Sequence, residues 1–229
     1  MKKSRARYIA AAIICVLLFL KVYGYEDLNT VLYAAYFPLN FRDVNRLLLS
    51  YFGMLLAQIP LFLLWGDLYY ENLYRNSTLV FPRLSGTFGI LLRSAFGLCV
   101  RATSFVLLTS VCICIIPIMR QGVNVHSLIV VCNYSLYICF FMLLANCFSL
   151  IGKPVLGIVV SVLTQAAQFI LLCGESNLKI QMLLPGYMIR NVCEGETVTV
   201  SLLCDIILVG FILLIICIQS IIAKKAEWR

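Results

Sequence analysis

Along the 229 residues, apolar runs of bilayer length recur with short polar breaks between them, a pattern that predicts transmembrane helices joined by loops. The first run, Tyr8 to Leu20, closes on Lys21 and on Tyr23 and Tyr25, residue types that anchor helix ends at a membrane interface. Glu26 to Arg46 alternates polar and apolar positions and carries Pro38. It is too polar to span, and we expect it outside, partly helical and lying along the interface. Further spans are expected over Leu47–Trp65, with Pro60 as a kink, and over Ser94–Ile118, Leu128–Ile151, Val155–Cys173 and Val198–Ala223. Gly152-Lys153-Pro154 is tight enough to make the fourth and fifth of these antiparallel neighbours.

The longest interior break is Gly66 to Arg93, which stays net positive through Asp67, Glu71, Arg75, Arg83 and Arg93. Glu71 and Arg75 stand four apart, with Leu68, Tyr69, Leu73 and Tyr74 supplying an apolar side, so a short amphipathic helix on a membrane face is expected. It should run out near Asn76-Ser77-Thr78, and Pro82 sets an extended turn before a new helix begins near Gly86. Such a segment either merely connects two spans or offers a docking surface to a partner.

Composition leaves no room for a soluble domain: the chain is 62% hydrophobic and 12% charged, with a mean hydropathy of +0.99. The fold class expected is an all-α polytopic membrane protein, residues 1–229 forming one domain with six transmembrane helices. The basic start MKKSRAR before an apolar run resembles a signal peptide, but no small-residue cleavage pattern follows, so this run is taken as the first span. The net charge of +8 acquires meaning from sidedness. With both termini and 66–93 in the cytoplasm, twelve of the 18 basic residues lie inside and six outside, as the positive-inside rule asks. Loops 24–46, 119–127 and 174–197 are then exterior, the location is the cell membrane in a multi-pass arrangement, and nucleic acid is not an expected partner.

Chemistry-bearing candidates are few. No Gly-x-x-x-x-Gly-Lys-Ser/Thr motif is present to cradle ATP, and no nucleophile, base and orienting residue can be assembled, so the chain is not expected to be an enzyme. His126 reads as a solvated loop residue without zinc-ligand company, and no metal site is expected. Nine of the 11 cysteines fall within predicted spans, where the residue packs as a small apolar group; Cys173 and Cys193 flank or occupy one exterior loop and could be either a free pair or a disulfide. The intramembrane charges are Arg101 and Asp205. Arg101 can snorkel to lipid phosphate, whereas Asp205 lies about as far in from the outer end of its helix, where Lys21 is its better-matched partner. That pair would be either a structural salt bridge or a polar contact on a substrate path.

Six spans with both ends inside, Glu71, Arg75 and Pro82 in the segment after the second span, and Leu183-Leu184-Pro185 in the loop before the last together resemble an ATP-binding-cassette type-2 exporter permease. The small single-domain form is similar to permeases that export antimicrobial peptides such as lantibiotics or give immunity to them. The resemblance implies that Tyr69, Tyr70, Glu71, Leu73, Tyr74 and Arg75 dock on an ATPase subunit, and that the loop before the last span dips back into the outer leaflet. It further implies a second permease subunit, the same or homologous, alongside membrane lipids, no cofactor on this chain, and ATP with Mg on the partner ATPase. The pattern departs from the family at the start, where only seven residues precede the first run, so a docking surface there is expected to be reduced or missing. A non-transporting scaffold or sensor holding a cytoplasmic partner through the same segment is the alternative.

Overall fold

Between Val125 and Ser149 the chain is apolar around the whole helical turn, so a helix formed there has no face to give to water and must be enclosed. That helix is the hub. In the computed structural model, which describes residues 2–37, 44–70, 87–174, 181, 184–187 and 198–227, seven helices follow in order. They are α1 (Lys2–Val22), α2 (Leu28–Tyr36), α3 (Val44–Trp65), α4 (Thr87–Gln121), α5 (Val125–Ser149), α6 (Pro154–Gly174) and α7 (Val198–Glu227). The apolar stretch of α5 is 72% buried against 28–33% for those of α4, α6 and α7, which places α5 at the centre, touching α2, α3, α4, α6 and α7.

Four stretches, Gly89–Gln121, Val125–Ser149, Pro154–Leu172 and Leu202–Ala223, are long and apolar enough to cross a membrane, and Tyr51–Trp65 is a shorter apolar helix. The protein is membrane-embedded, and about 90% of its described residues are helical. Large apolar side chains such as Phe96, Leu108, Leu163 and Ile206 lie open on its outside, where hydrocarbon and not water is the compatible surrounding.

Side-chain pairings fix the directions of the helices. Arg7 near the start of α1 meets Asp67 just beyond the end of α3 at 2.7 Å, while Lys21 at the other end of α1 lies against Gly53 of α3, so α1 and α3 are antiparallel. The turn between α4 and α5 uses Gly122 at φ +73°, and Asn124 caps α5 by accepting from the Ser127 backbone N–H at 2.6 Å. The turn between α5 and α6 uses Gly152 at φ +77°, with Lys153 N–H returning to the Phe148 carbonyl at 3.0 Å, and Pro154 opens α6 where a missing N–H costs nothing. Ser161 Oγ donates to the Phe141 carbonyl at 2.8 Å, and Gly157 meets Ala145; α5 and α6 therefore run antiparallel in fixed register. α7 runs parallel to α5, with Phe211 beside Phe140 and Gln219 Nε2 donating to the Leu143 carbonyl at 2.9 Å.

One element departs from expectation. α2 does not lie along an interface; Leu28, Val31, Leu32, Ala34, Ala35 and Tyr36 are all buried. Asp27 caps its start, accepting from both Thr30 N–H and Thr30 Oγ1 at 2.9 Å. Leu28 N–H lies 3.5 Å from Gln121 Oε1 at the end of α4, and the Tyr36 hydroxyl 2.9 Å from Ser110 Oγ of the same helix. Eleven residues of α4 separate those contacts, a descent of roughly 16 Å along its axis. The short helix thus enters the bundle at the Lys21 end, its small Ala34 and Ala35 allowing close approach. Part of the loop before α7 also turns inward: Gly186 N–H donates to Gln168 Oε1 of α6 at 3.1 Å, and Tyr187 is buried.

Candidate functional site

Where α2 ends inside the bundle, polar side chains from five helices converge. Tyr36 reaches Ser110 Oγ at 2.9 Å and Thr109 Oγ1 at 3.0 Å. Both of those hydroxyls already give their protons to α4 carbonyls, Ser110 to Val106 at 2.7 Å and Thr109 to Phe105 at 2.9 Å, so Tyr36 is the donor, its single proton shared between the two. Its ring stacks on Tyr134 of α5 at 4.3 Å between centroids.

Beyond that stack the hydrogen bonding stops. On α3 the positions Tyr51, Met54, Gln58 and Leu61 form the inward stripe and all are buried. The Gln58 amide lies beside the Tyr134 hydroxyl at the edge of hydrogen-bond geometry, and neither group has a well-formed partner. The α5–α6 register set by Ser161 and Phe141 brings Tyr137 level with Gln165, and these two also have no hydrogen-bond partner for the hydroxyl or for either amide atom. Tyr51 closes the layer, donating to the Val162 carbonyl at 2.8 Å and packing on Phe169. Gln58, Tyr134, Tyr137 and Gln165 are each fully enclosed by protein. A buried polar group without a partner costs about 1–3 kcal/mol, so four in one layer are a sizeable expense that packing alone does not require. Chemically the layer is neutral and offers both donors and acceptors, which suits a polar uncharged group or water.

A second constellation sits at the Arg7 end, at the root of the segment that follows α3. Asn146 of α5 holds that root from both sides, donating through Nδ2 to the Trp65 carbonyl at 3.2 Å and accepting from Tyr69 N–H at 3.0 Å. Ser149 Oγ donates to the Gly66 carbonyl at 3.4 Å, and Asp67 receives both Arg7 guanidinium nitrogens at 3.0 and 2.7 Å. Gly66 is also pressed against Ile158 of α6, leaving no space for a Cβ. The first residues of the segment are thereby tied to α1, α5 and α6 at once.

Tyr69, expected among the docking aromatics, is corrected by this geometry: it is fully buried in its own bundle and anchors the segment instead of facing outward. Tyr70 is half-buried, and Glu71, Leu73, Tyr74 and Arg75 lie outside the described residues. Arg101 is exposed on α4, and Asp205 is half-buried on α7. Lys21 is held differently from expectation. Its stem runs along the surface, but its Nζ donates to the Ala34 carbonyl at 2.6 Å, placing a cation on the carbonyl end of α2 where the helix dipole is negative. The expected Lys21–Asp205 pair therefore gives way to a helix cap, because depth along the bundle does not determine which way around it a side chain faces.

His126 is also corrected, since it stands in the first turn of α5 and is hydrogen-bonded to the Tyr33 hydroxyl of α2. Cys193 lies outside the described residues, and with it the question of a Cys173–Cys193 pair. Among the described residues Cys112 and Cys114 are free, and no group of three His, Cys, Asp or Glu could hold a metal ion. The unpartnered layer was missed from sequence, although Gln58 and Gln165 do carry a signal, as lone amides inside long apolar runs.

No family model, no curated protein and no solved structure matches the chain.

Proposed function

We propose that the chain is the permease subunit of an ATP-binding-cassette type-2 exporter in the cell membrane, spanning it six times with both termini in the cytoplasm, and that it moves a membrane-active peptide with power from a separate ATPase subunit. The observation that supports this reading most is the bonded root of the segment after α3. A partner that binds Tyr70, Leu73, Tyr74 and the flanking Glu71 and Arg75 acts on a lever whose base is fixed through Asp67 to α1, through Asn146 and Ser149 to α5, and through Gly66 to α6. Force applied there reaches α5 and α6, which carry Tyr134, Tyr137 and Gln165 of the unpartnered polar layer. A simple connector between two spans has no need of so many ties.

The turn at Leu184–Tyr187 packing back onto α6 agrees with the inward dip that the resemblance implies for the loop before the last helix. Transport is completed by a second permease subunit, the same or homologous, while ATP and Mg bind on the ATPase. Co-purification tests the proposal directly. An ATPase subunit should accompany the tagged chain, be released by Leu73→Ala with Tyr74→Ala, and turn over faster when the wild-type complex is reconstituted with its peptide. Recovery of a kinase or another unrelated protein alone would favour a scaffold or sensor, and retention of the ATPase by the double variant would remove the segment from its docking role.

A further inference from the structure

At the Lys21 end, α1 and α4 part around a cavity of about 230 Å³ roofed by the turn that leads into α2. A single water needs only about 10–15 Å³ on the same measure, so this space fits a larger group. Its floor is apolar, Phe19 from α1 with Ile113 and Ile116 from α4. Pro117 sits in the same wall; it cannot donate to the Ile113 carbonyl and its ring crowds that carbonyl, which loosens α4 on the side where the gap lies. The rim is polar and aromatic: Tyr23 and Tyr25 stand largely exposed, and Arg120 faces Glu26 at 3.5 Å.

We infer that this cavity binds a zwitterionic phospholipid, its phosphate on Arg120, its ammonium on Glu26 and the tyrosine faces, and its chain over the apolar floor. Three observations favour that occupant. The rim carries one cation and one anion side by side, the same charge pair that a phosphoethanolamine headgroup presents in reverse. The Arg120–Glu26 contact is long and open to solvent, so exchanging it for two contacts with a headgroup gives up little, whereas guanidinium–phosphate and ammonium–tyrosine contacts are stronger. Below the rim the exposed surfaces of α1 and α4 continue apolar through Val16, Leu20 and Ile115, a track for an acyl chain that neither a free phosphate nor a soluble ligand would use. The roof residue Glu26 also accepts from Gln121 Nε2 through its carbonyl and precedes the Asp27 cap, so the bound lipid touches the root of the buried helix α2. This inference does not depend on an ATPase partner.

Native mass spectrometry of the purified full-length chain tests it with four probes: dioleoylphosphatidylethanolamine, dioleoylphosphatidic acid, dioleoylglycerol and phosphoethanolamine without chains. The first should be retained most strongly. Arg120→Ala should weaken it about tenfold, as expected for loss of one charge-assisted contact, and Glu26→Gln should bring it down to the level of the phosphatidic acid. Ile116→Trp, which fills the floor and leaves the rim intact, should weaken both phospholipids together; it carries the test if Arg120→Ala fails to fold. Equal retention of dioleoylglycerol, or unchanged retention in the Arg120 and Ile116 variants, would overturn the site. Competition by phosphoethanolamine at the same concentration as the lipid would show a free headgroup ligand and overturn the lipid assignment.

Discussion

Gly157 brings the backbone of α6 directly onto the Ala145 carbonyl of α5, so closely that an added Cβ would overlap the oxygen. The atom in the way is backbone and cannot swing aside. Gly157→Ala should therefore push the two helices apart and cost about 1–3 kcal/mol, with Gly157→Leu worse. Gly97 and Gly210, which have nothing within 4 Å of such a Cβ, are the controls. Alanine there should be neutral or mildly stabilising, since a helix prefers alanine to glycine by about 1 kcal/mol. Thermal unfolding in detergent separates the cases, and equal melting of Gly157→Ala and Gly97→Ala would contradict the packing described.

Lys21 holds α2 in the bundle through one contact to its C-terminal carbonyl end, with Gly53 leaving the ammonium its space. Lys21→Met keeps most of the stem and removes the donor, leaving the Ala34 carbonyl without it at a cost of about 1–3 kcal/mol. Hydrogen exchange should report this locally: amides of α2 should exchange faster while those of α5 stay protected. Uniform loss of protection would mean that Lys21 supports the whole bundle and not this helix. Gly53→Ala should have a smaller effect in the same direction, because the atom it meets is the free end of a flexible side chain.

The helices were legible in the sequence because each apolar run is long and bounded by a turn with its own chemistry; Gly152-Lys153-Pro154 and the Pro82–Gly86 region both foretold where a helix would start, and α6 and α4 begin at Pro154 and Thr87. Burial of α2 was not legible. Asp27, Asn29 and Thr30 make its start read as interfacial, and a nine-residue helix is too short for its apolar stripe to declare which surface it meets. The partners of Lys21 and Asp205 were likewise beyond reach, because sequence gives a residue's height on a helix but not the rotation of that helix against its neighbours. Tyr134 and Tyr137 carry no signal of their own inside an apolar run, and only the enclosure of their hydroxyls beside Gln58 and Gln165 marks the layer.

Asn146 completes hydrogen bonds on both sides of the α3 terminus, and no other side chain of its size could do both. Asn146→Leu preserves volume and removes them. If the segment root transmits force as proposed, the variant should still recruit an ATPase subunit but show at least a several-fold smaller stimulation of its turnover by peptide. The Arg7–Asp67 pair is partly exposed and should contribute less; Asp67→Asn is expected to reduce coupling mildly, and more so at low ionic strength where the native pair is strongest. A variant at Asn146 with unchanged stimulation would break the link between this root and transport.

The unpartnered layer makes the sharpest distinction between stability and function. Gln58 and Gln165 are enclosed amides with no hydrogen bond, so replacing either with leucine removes a desolvated polar group and substitutes a side chain of similar volume. On stability alone Gln58→Leu and Gln165→Leu should be gains of about 1–2 kcal/mol, since removing an unsatisfied group relieves its penalty. A chain that keeps both amides at that expense is expected to use them, as strained or unsatisfied groups concentrate where function needs them. We therefore expect each variant to melt higher than wild type and the pair to be roughly additive, with peptide-stimulated turnover of the reconstituted complex reduced tenfold or more (about 1.4 kcal/mol). Both readouts are needed. A lower melting temperature would mean that the amides are satisfied by internal water and serve structure, whereas higher stability with full turnover would leave the layer without a part in transport.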